Sequence, residues 1–180
     1  MNDDIRAIEE EFKENLHKFL LSTGMVDKIL PEAPDIEERW HGIAESYMPD
    51  ALREFNGDYP MVAFGWIMYV GMALARYWDV EWETYSNVKD IYAYLRDRID
   101  FDHMDDYICQ NVLCLDQKQR EIVDNTVGEC ASRTYNRLCH LHLEPGSANA
   151  FRAFVAALHQ MYLMGVAVEL RHLGYHMTKI

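Results

Sequence analysis

From Met61 to Ala75 the chain reads MVAFGWIMYVGMALA, a run without one charged side chain. A helix that is apolar on every side must be surrounded on every side. The run falls short of the roughly 20 residues that span a bilayer. Tyr59, Arg76 and Asp79 close it off at both ends. The expectation is a buried central helix over about 60–77 and no membrane partner.

A second stretch of the same kind lies near the C-terminus. Between Phe151 and Val168 the residues are mostly Phe, Ala, Leu, Met and Val, and Ser147 is placed to cap the helix they form over about 150–173. Elsewhere the apolar letters recur at helical spacing. Ile5, Ile8, Phe12, Leu16 and Phe19 mark one amphipathic helix over 3–22, and Val123, Val127, Cys130, Ala131, Thr134 and Leu138 mark another. Asp116 with Gln119 has the spacing of a capping box, and so does Asp35 with Glu38. Pro49 predicts a kink or a restart. The run from Asp79 to Ile99 suggests one helix, and Phe101 to Leu115 a shorter one with Phe101, Met104, Ile108 and Val112 turned inward.

No segment alternates with period two between turn dipeptides, so no strand is expected. The fold class is all-α: an antiparallel bundle of six or seven helices, residues 1–180 as a single domain, with the two apolar helices as its spine. The apolar excess also predicts that a second copy covers part of the surface, most simply in a homodimer.

Charge narrows the partners. Seventeen basic against thirty acidic residues leave a formal charge of −13, which repels phosphate backbones and anionic membranes. No nucleic acid is expected. The first residues, MNDDIRAIEEEF, lack the basic and apolar regions of a secretory signal. Four cysteines without a C-x-x-C pair fit reduced thiols. The expected compartment is the cytoplasm.

One place holds the types of residue that chemistry needs. Carboxylate and histidine three apart share a helix face, which suits them as metal ligands. Glu14 with His17, Glu38 with His41 and Glu169 with His172 have this spacing, and Asp100 with His103 is a shorter relative. Helical phase turns all but Glu169 and His172 away from the core. Those two fall on the face of Phe151, Phe154, Leu158 and Tyr162, with His176 one turn on, provided that Gly174 does not end the helix first. A buried carboxylate must be paired, protonated or metal-bound. Arg133 and Arg137 are the expected partners if the cluster is structural.

If it holds metal, Glu169, His172 and His176 make a site with open positions for zinc or iron, and Asp105 and His142 are the candidate further ligands. The sequence lacks phosphate-binding, dinucleotide-binding, nucleophile-elbow and zinc-finger motifs. Trp78, Trp82 and Tyr85, among Asp79, Glu81 and Glu83, are the candidate pocket or partner surface, since Trp, Tyr and Arg carry much of the energy in protein interfaces. The first reading is a noncatalytic helical protein, without cofactor, that acts through protein contacts including contact with itself. The alternative is a small metal-binding or metal-dependent bundle built on Glu169 and His172.

Overall fold

The computed structural model describes residues 2–175, with side chains from Asp4 onward. Among these residues the regular structure is helical throughout. The helices are α1 (Asn2–Ser22), α2 (Pro34–Glu37), α3 (Trp40–Phe55), α4 (Met61–Val80), α5 (Trp82–Asn87), α6 (Ile91–Arg96), α7 (Met104–Tyr107), α8 (Gln117–His140) and α9 (Ala148–His172). A 3-10 turn at Phe101–His103 precedes α7, and a π-turn at Ile108–Val112 follows it. The five long helices carry the bundle and the short ones wrap its end.

Several ends follow from single residues. Asp116 accepts from the Gln119 amide at 2.8 Å while the Gln119 side chain returns to the Asp116 amide at 3.0 Å, so this capping box forms as its letters predict. Ser147 caps α9 through the Ala150 amide at 3.1 Å. The other capping box does not form: α2 starts at Pro34, whose fixed φ suits a first turn, and no side chain caps it. Pro49 neither kinks α3 into two helices nor restarts it. One hydrogen bond is forfeited there, and burial of Trp40, Ile43, Tyr47 and Ala51 along the same helix outweighs the loss. The single helix expected over 79–99 is two, because Asp90 caps a new start through the Ala93 amide at 3.0 Å.

Successive long helices alternate in direction. Arg137 meets Glu11, Tyr69 meets Asp124, and Thr134 meets Met161, so α8 runs against α1, α4 and α9. Phe55 stacks on Phe154 and Trp40 on His159, so α3 also runs against α9. With one long helix between them in the chain, the two spine helices α4 and α9 must point the same way. Phe64 beside Phe154 at one end and Tyr175 on Asp79 at the other show that they do.

The spine crosses at two glycines. A Cβ placed on Gly71 would stand 2.2 Å from the Tyr162 carbonyl oxygen, and one on Gly165 would stand 2.1 Å from that of Met68. Backbone lies on backbone at this point, as only residues without a side chain permit. Around the crossing, Phe64, Ile67, Met68, Val70, Leu74, Leu158, Met161 and Tyr162 are wholly or almost wholly shielded from solvent. Met61–Ala75 is thus an interior helix after its first residues, Met61 itself being 46% exposed.

One helix, Ala148–His172, is long and apolar enough by length and composition to cross a membrane. Most of that segment is enclosed by α1, α3, α4 and α8.

Candidate functional site

Glu169 lies where helical phase placed it. It is 3% exposed, near the C-terminal end of α9. His172 Nδ1 is 3.2 Å from Glu169 Oε1, but its own ring is half exposed, so the pair spans the boundary between core and solvent. Beside them opens a groove of about 250 Å³. Met25, Met72, Leu113, Leu115, Ile122, Val123 and Val168 supply its apolar lining, and Gln119 and Arg171 its polar edge.

Burial raises the Glu169 carboxyl above its ordinary range, while the His172 ring and the Arg76 guanidinium pull it back down. The charged form is therefore disfavoured in the fold relative to the unfolded chain. Below the ordinary carboxylate range both states are protonated and Glu169 costs nothing. As pH rises through and beyond that range the unfolded chain ionises first, and stability is lost. Glu169→Gln removes the titration. Its melting temperature should match wild type below the ordinary carboxylate range and exceed it increasingly as pH rises from there toward neutral; a constant offset across that range would contradict the buried, reluctant carboxyl.

The expected arginine partners lie elsewhere. Arg133 pairs with Glu129 at 2.9 Å and covers the Phe19 ring, and Arg137 pairs with Glu11 at 2.7 Å. The reason is helix direction. Because α8 runs against α9, its C-terminal half faces the start of α9, and only its N-terminal residues reach Glu169. The group in contact with Glu169 is His172, while Arg76 of α4 acts on it through charge alone and keeps a buried Nε without a hydrogen-bond partner among the described residues.

The same geometry scatters the candidate further ligands. His142 follows the end of α8, in the left-handed region at φ 52°, and its ring neighbour is His140. Asp105 is held by Arg120 at 3.2 Å, and burial and Asp106 raise its carboxyl above the usual range. Gly174, at φ 99°, ends α9 with amide bonds from Gly174 to Arg171 and from Tyr175 to Leu170. His176 lies outside the described residues. Among those that are described, no three His, Cys, Asp or Glu side chains come together to hold a metal ion. Glu169 and His172 alone make two ligands of the three that an open catalytic site uses.

The aromatic trio divides. Trp78 packs on Tyr175 with ring centroids 5.4 Å apart and lines a small pocket of about 210 Å³ with Pro31, Pro34 and Leu170. Trp82 and Tyr85 lie on another face, 5.3 Å apart, in a shallow hollow of about 560 Å³. Tyr85 is buried and Trp82 is 57% exposed. The Arg39 guanidinium sits 3.6 Å above the Tyr85 ring and donates to the carbonyls of Tyr85 and Val88 at 2.6 Å each. Asp35, Glu38, Gly42, Ser86 and Lys89 complete the hollow.

Three polar centres escaped the sequence reading. Asp50, 8% exposed, accepts from Tyr92 and from Arg96 Nε at 3.0 Å and forms an ion pair with Arg53 at 3.2 Å. Arg120 gathers Asp105, Asp106 at 2.8 Å and Asp124 at 2.9 Å, and Tyr69 donates to Asp124 as well. Gln160, 5% exposed in the middle of α9, keeps an Oε1 without a partner among the described residues. Gln160 carried a legible signal, a polar letter whose neighbours one turn away, Ala156, Ala157, Leu163 and Met164, are apolar, and Asp50 a weaker one, between the inward Tyr47 and Ala51.

Comparison with protein-family models, curated proteins and solved structures gave no match. The fold and its surface define a class only: an all-α bundle on a parallel, glycine-crossed spine.

Proposed function

We propose that this is a noncatalytic protein that works through protein contacts, the first of them with a second copy of itself. One observation carries the reading: Trp82 stands 57% exposed on the lip of a hollow that also holds Tyr85 and Arg39. Trp, Tyr and Arg are the side chains that most often anchor protein interfaces.

The charge of the hollow favours a copy of the same chain. A two-fold interface sets the same patch against itself, so the patch must be self-complementary. Asp35 and Glu38 stand here against Arg39 and Lys89, a balanced rim on a chain whose formal charge is −13. Two copies of so acidic a chain repel as wholes, and a patch of balanced charge adds nothing to that repulsion. The compartment that suits the free cysteines Cys114 and Cys139, both exposed, is the reducing cytoplasm.

Sedimentation equilibrium tests the reading. Wild type should dimerise in the micromolar range. Trp82→Ala, which removes an exposed ring, should weaken the dimer about thirtyfold, the equivalent of roughly 2 kcal/mol for an interface anchor, and leave the melting temperature of the monomer nearly unchanged. A wild type that stays monomeric at high protein concentration, or a Trp82→Ala dimer of undiminished affinity, would remove this reading. The metal-binding alternative rests on the 3.2 Å contact of His172 with Glu169. Stoichiometric zinc or iron in tag-free protein, lost in Glu169→Ala, would put it first.

A further inference from the structure

A groove that shares no lining residue with the balanced hollow carries a second contact, of opposite character. Between α1, the linker at Leu30–Pro34 and the outer side of α9 runs a groove of about 540 Å³. Leu163, Met164 and Ala167 form part of its apolar floor. Its rim is acidic: Glu10, Glu14, Glu32 and Glu37 stand around it against Lys13. None of these four carboxylates has an ion-pair partner among the described residues. His17, also on the rim, is already bound to the Asp27 carbonyl at 3.0 Å.

An acidic rim alone is a solvated surface. The floor adds what such a surface lacks. Gln160 lines the groove while 95% shielded, and its Oε1, itself closed off from solvent, has no hydrogen-bond partner among the described residues. A buried acceptor left unmade costs free energy that a donor would recover. The orientation of the amide is set by its surroundings. Four carboxylates overhead favour a cationic donor entering the groove, and the amide meets such a donor with its oxygen by turning it outward. The terminal torsion of glutamine is broad enough to turn that oxygen toward an arriving group.

We infer that this groove binds an arginine-bearing segment of a partner protein. The aliphatic stem lies on Leu163, Met164 and Ala167, one guanidinium N–H donates to Gln160 Oε1, and the remaining N–H groups face the glutamates. Guanidinium suits the place better than ammonium, because its planar fork serves several acceptors at once and it is more weakly hydrated. The chain as a whole, at −13, steers a basic partner toward itself.

The inference extends the contact reading to a second, separately lined groove and does not need the dimer. Fluorescence anisotropy tests it on the full chain, with a labelled peptide that carries three arginines among alanines and leucines. Micromolar binding is expected, at least tenfold weaker when citrulline replaces the arginines. Gln160→Leu should also weaken it about tenfold and yet melt no lower than wild type, since it removes an unpaired buried oxygen. Glu10→Gln combined with Glu14→Gln, at surface positions that cannot harm the fold, should weaken it and flatten its salt dependence. Trp82→Ala should bind the peptide as wild type does, which separates this site from the dimer. Absence of binding, equal binding of the citrulline peptide, undiminished binding by Gln160→Leu, or displacement by spermidine at matching concentration would each overturn the inference.

Discussion

Gly165→Ala should unfold the protein about 6–12 °C below wild type, from a loss of roughly 3 kcal/mol or more. The added methyl would meet the Met68 carbonyl oxygen at 2.1 Å. That neighbour is backbone inside a helix, so no rotamer change can clear it. The spine helices must part, and the side chains packed along both of them lose contact together. Gly71→Ala, 2.2 Å from the Tyr162 carbonyl oxygen, should behave alike. The double substitution should cost less than the two added, because one separation of the helices relieves both clashes. Gly128→Ala gives the opposite sign. It lies within α8 with nothing within 4 Å of the new Cβ, so it should stabilise by about 0.5–1 kcal/mol. Thermal and chemical denaturation of the four variants checks all of this; a Gly165→Ala protein as stable as wild type would mean that the two spine helices do not meet backbone to backbone at Gly165.

Asp50→Ala is the second large effect. Its carboxylate satisfies the buried Tyr92 hydroxyl and two arginines at once. Removing it leaves a buried hydroxyl without its acceptor and strips the counter-charge from Arg96. Arg96 and Arg53 are partly open to water, which tempers the loss of charge pairing. The expected cost is about 2–4 kcal/mol. Tyr92→Phe, which takes away one hydrogen bond and leaves both arginines paired, should cost about 1 kcal/mol. If Asp50→Ala unfolds within about 0.5 kcal/mol of wild type, as an exposed substitution does, the network contributes nothing that solvent does not replace.

The same two places show how far the letters of the chain can be read. The apolar run that contains Gly71 announces a buried helix, and the run that contains Gly165 announces another. Neither run says that the two helices touch through these glycines, because a glycine at a helix crossing and a glycine tolerated in a helix look the same in sequence. Gly128 is the counterexample in this very chain. Asp50 is legible as a polar residue at an inward position beside Tyr47 and Ala51, but Tyr92 and Arg96 answer it from more than 40 positions away. Glu169 is legible for the same reason as Asp50, and its burial agrees with helical phase. Its neighbours do not follow from phase. Arg133, Arg137, Asp105 and His142 are excluded by the direction in which α8 and the short helices run, which is a property of the assembled bundle.

Local rules settle what nearby residues settle: helix from apolar spacing, a start from Asp116 with Gln119 or from Ser147, an end from Gly174. They also settle which helices must be enclosed, since a charge-free surface has no favourable alternative to burial. Tertiary structure alone decided that α4 and α9 run parallel and meet backbone to backbone, that Trp78 parts from Trp82, and that Gln160 lies under four glutamates. These are relations between groups far apart in the chain. Spacing along one helix fixes the direction in which a side chain leaves it, whereas what the side chain meets depends on which helices pack around it and which way they point.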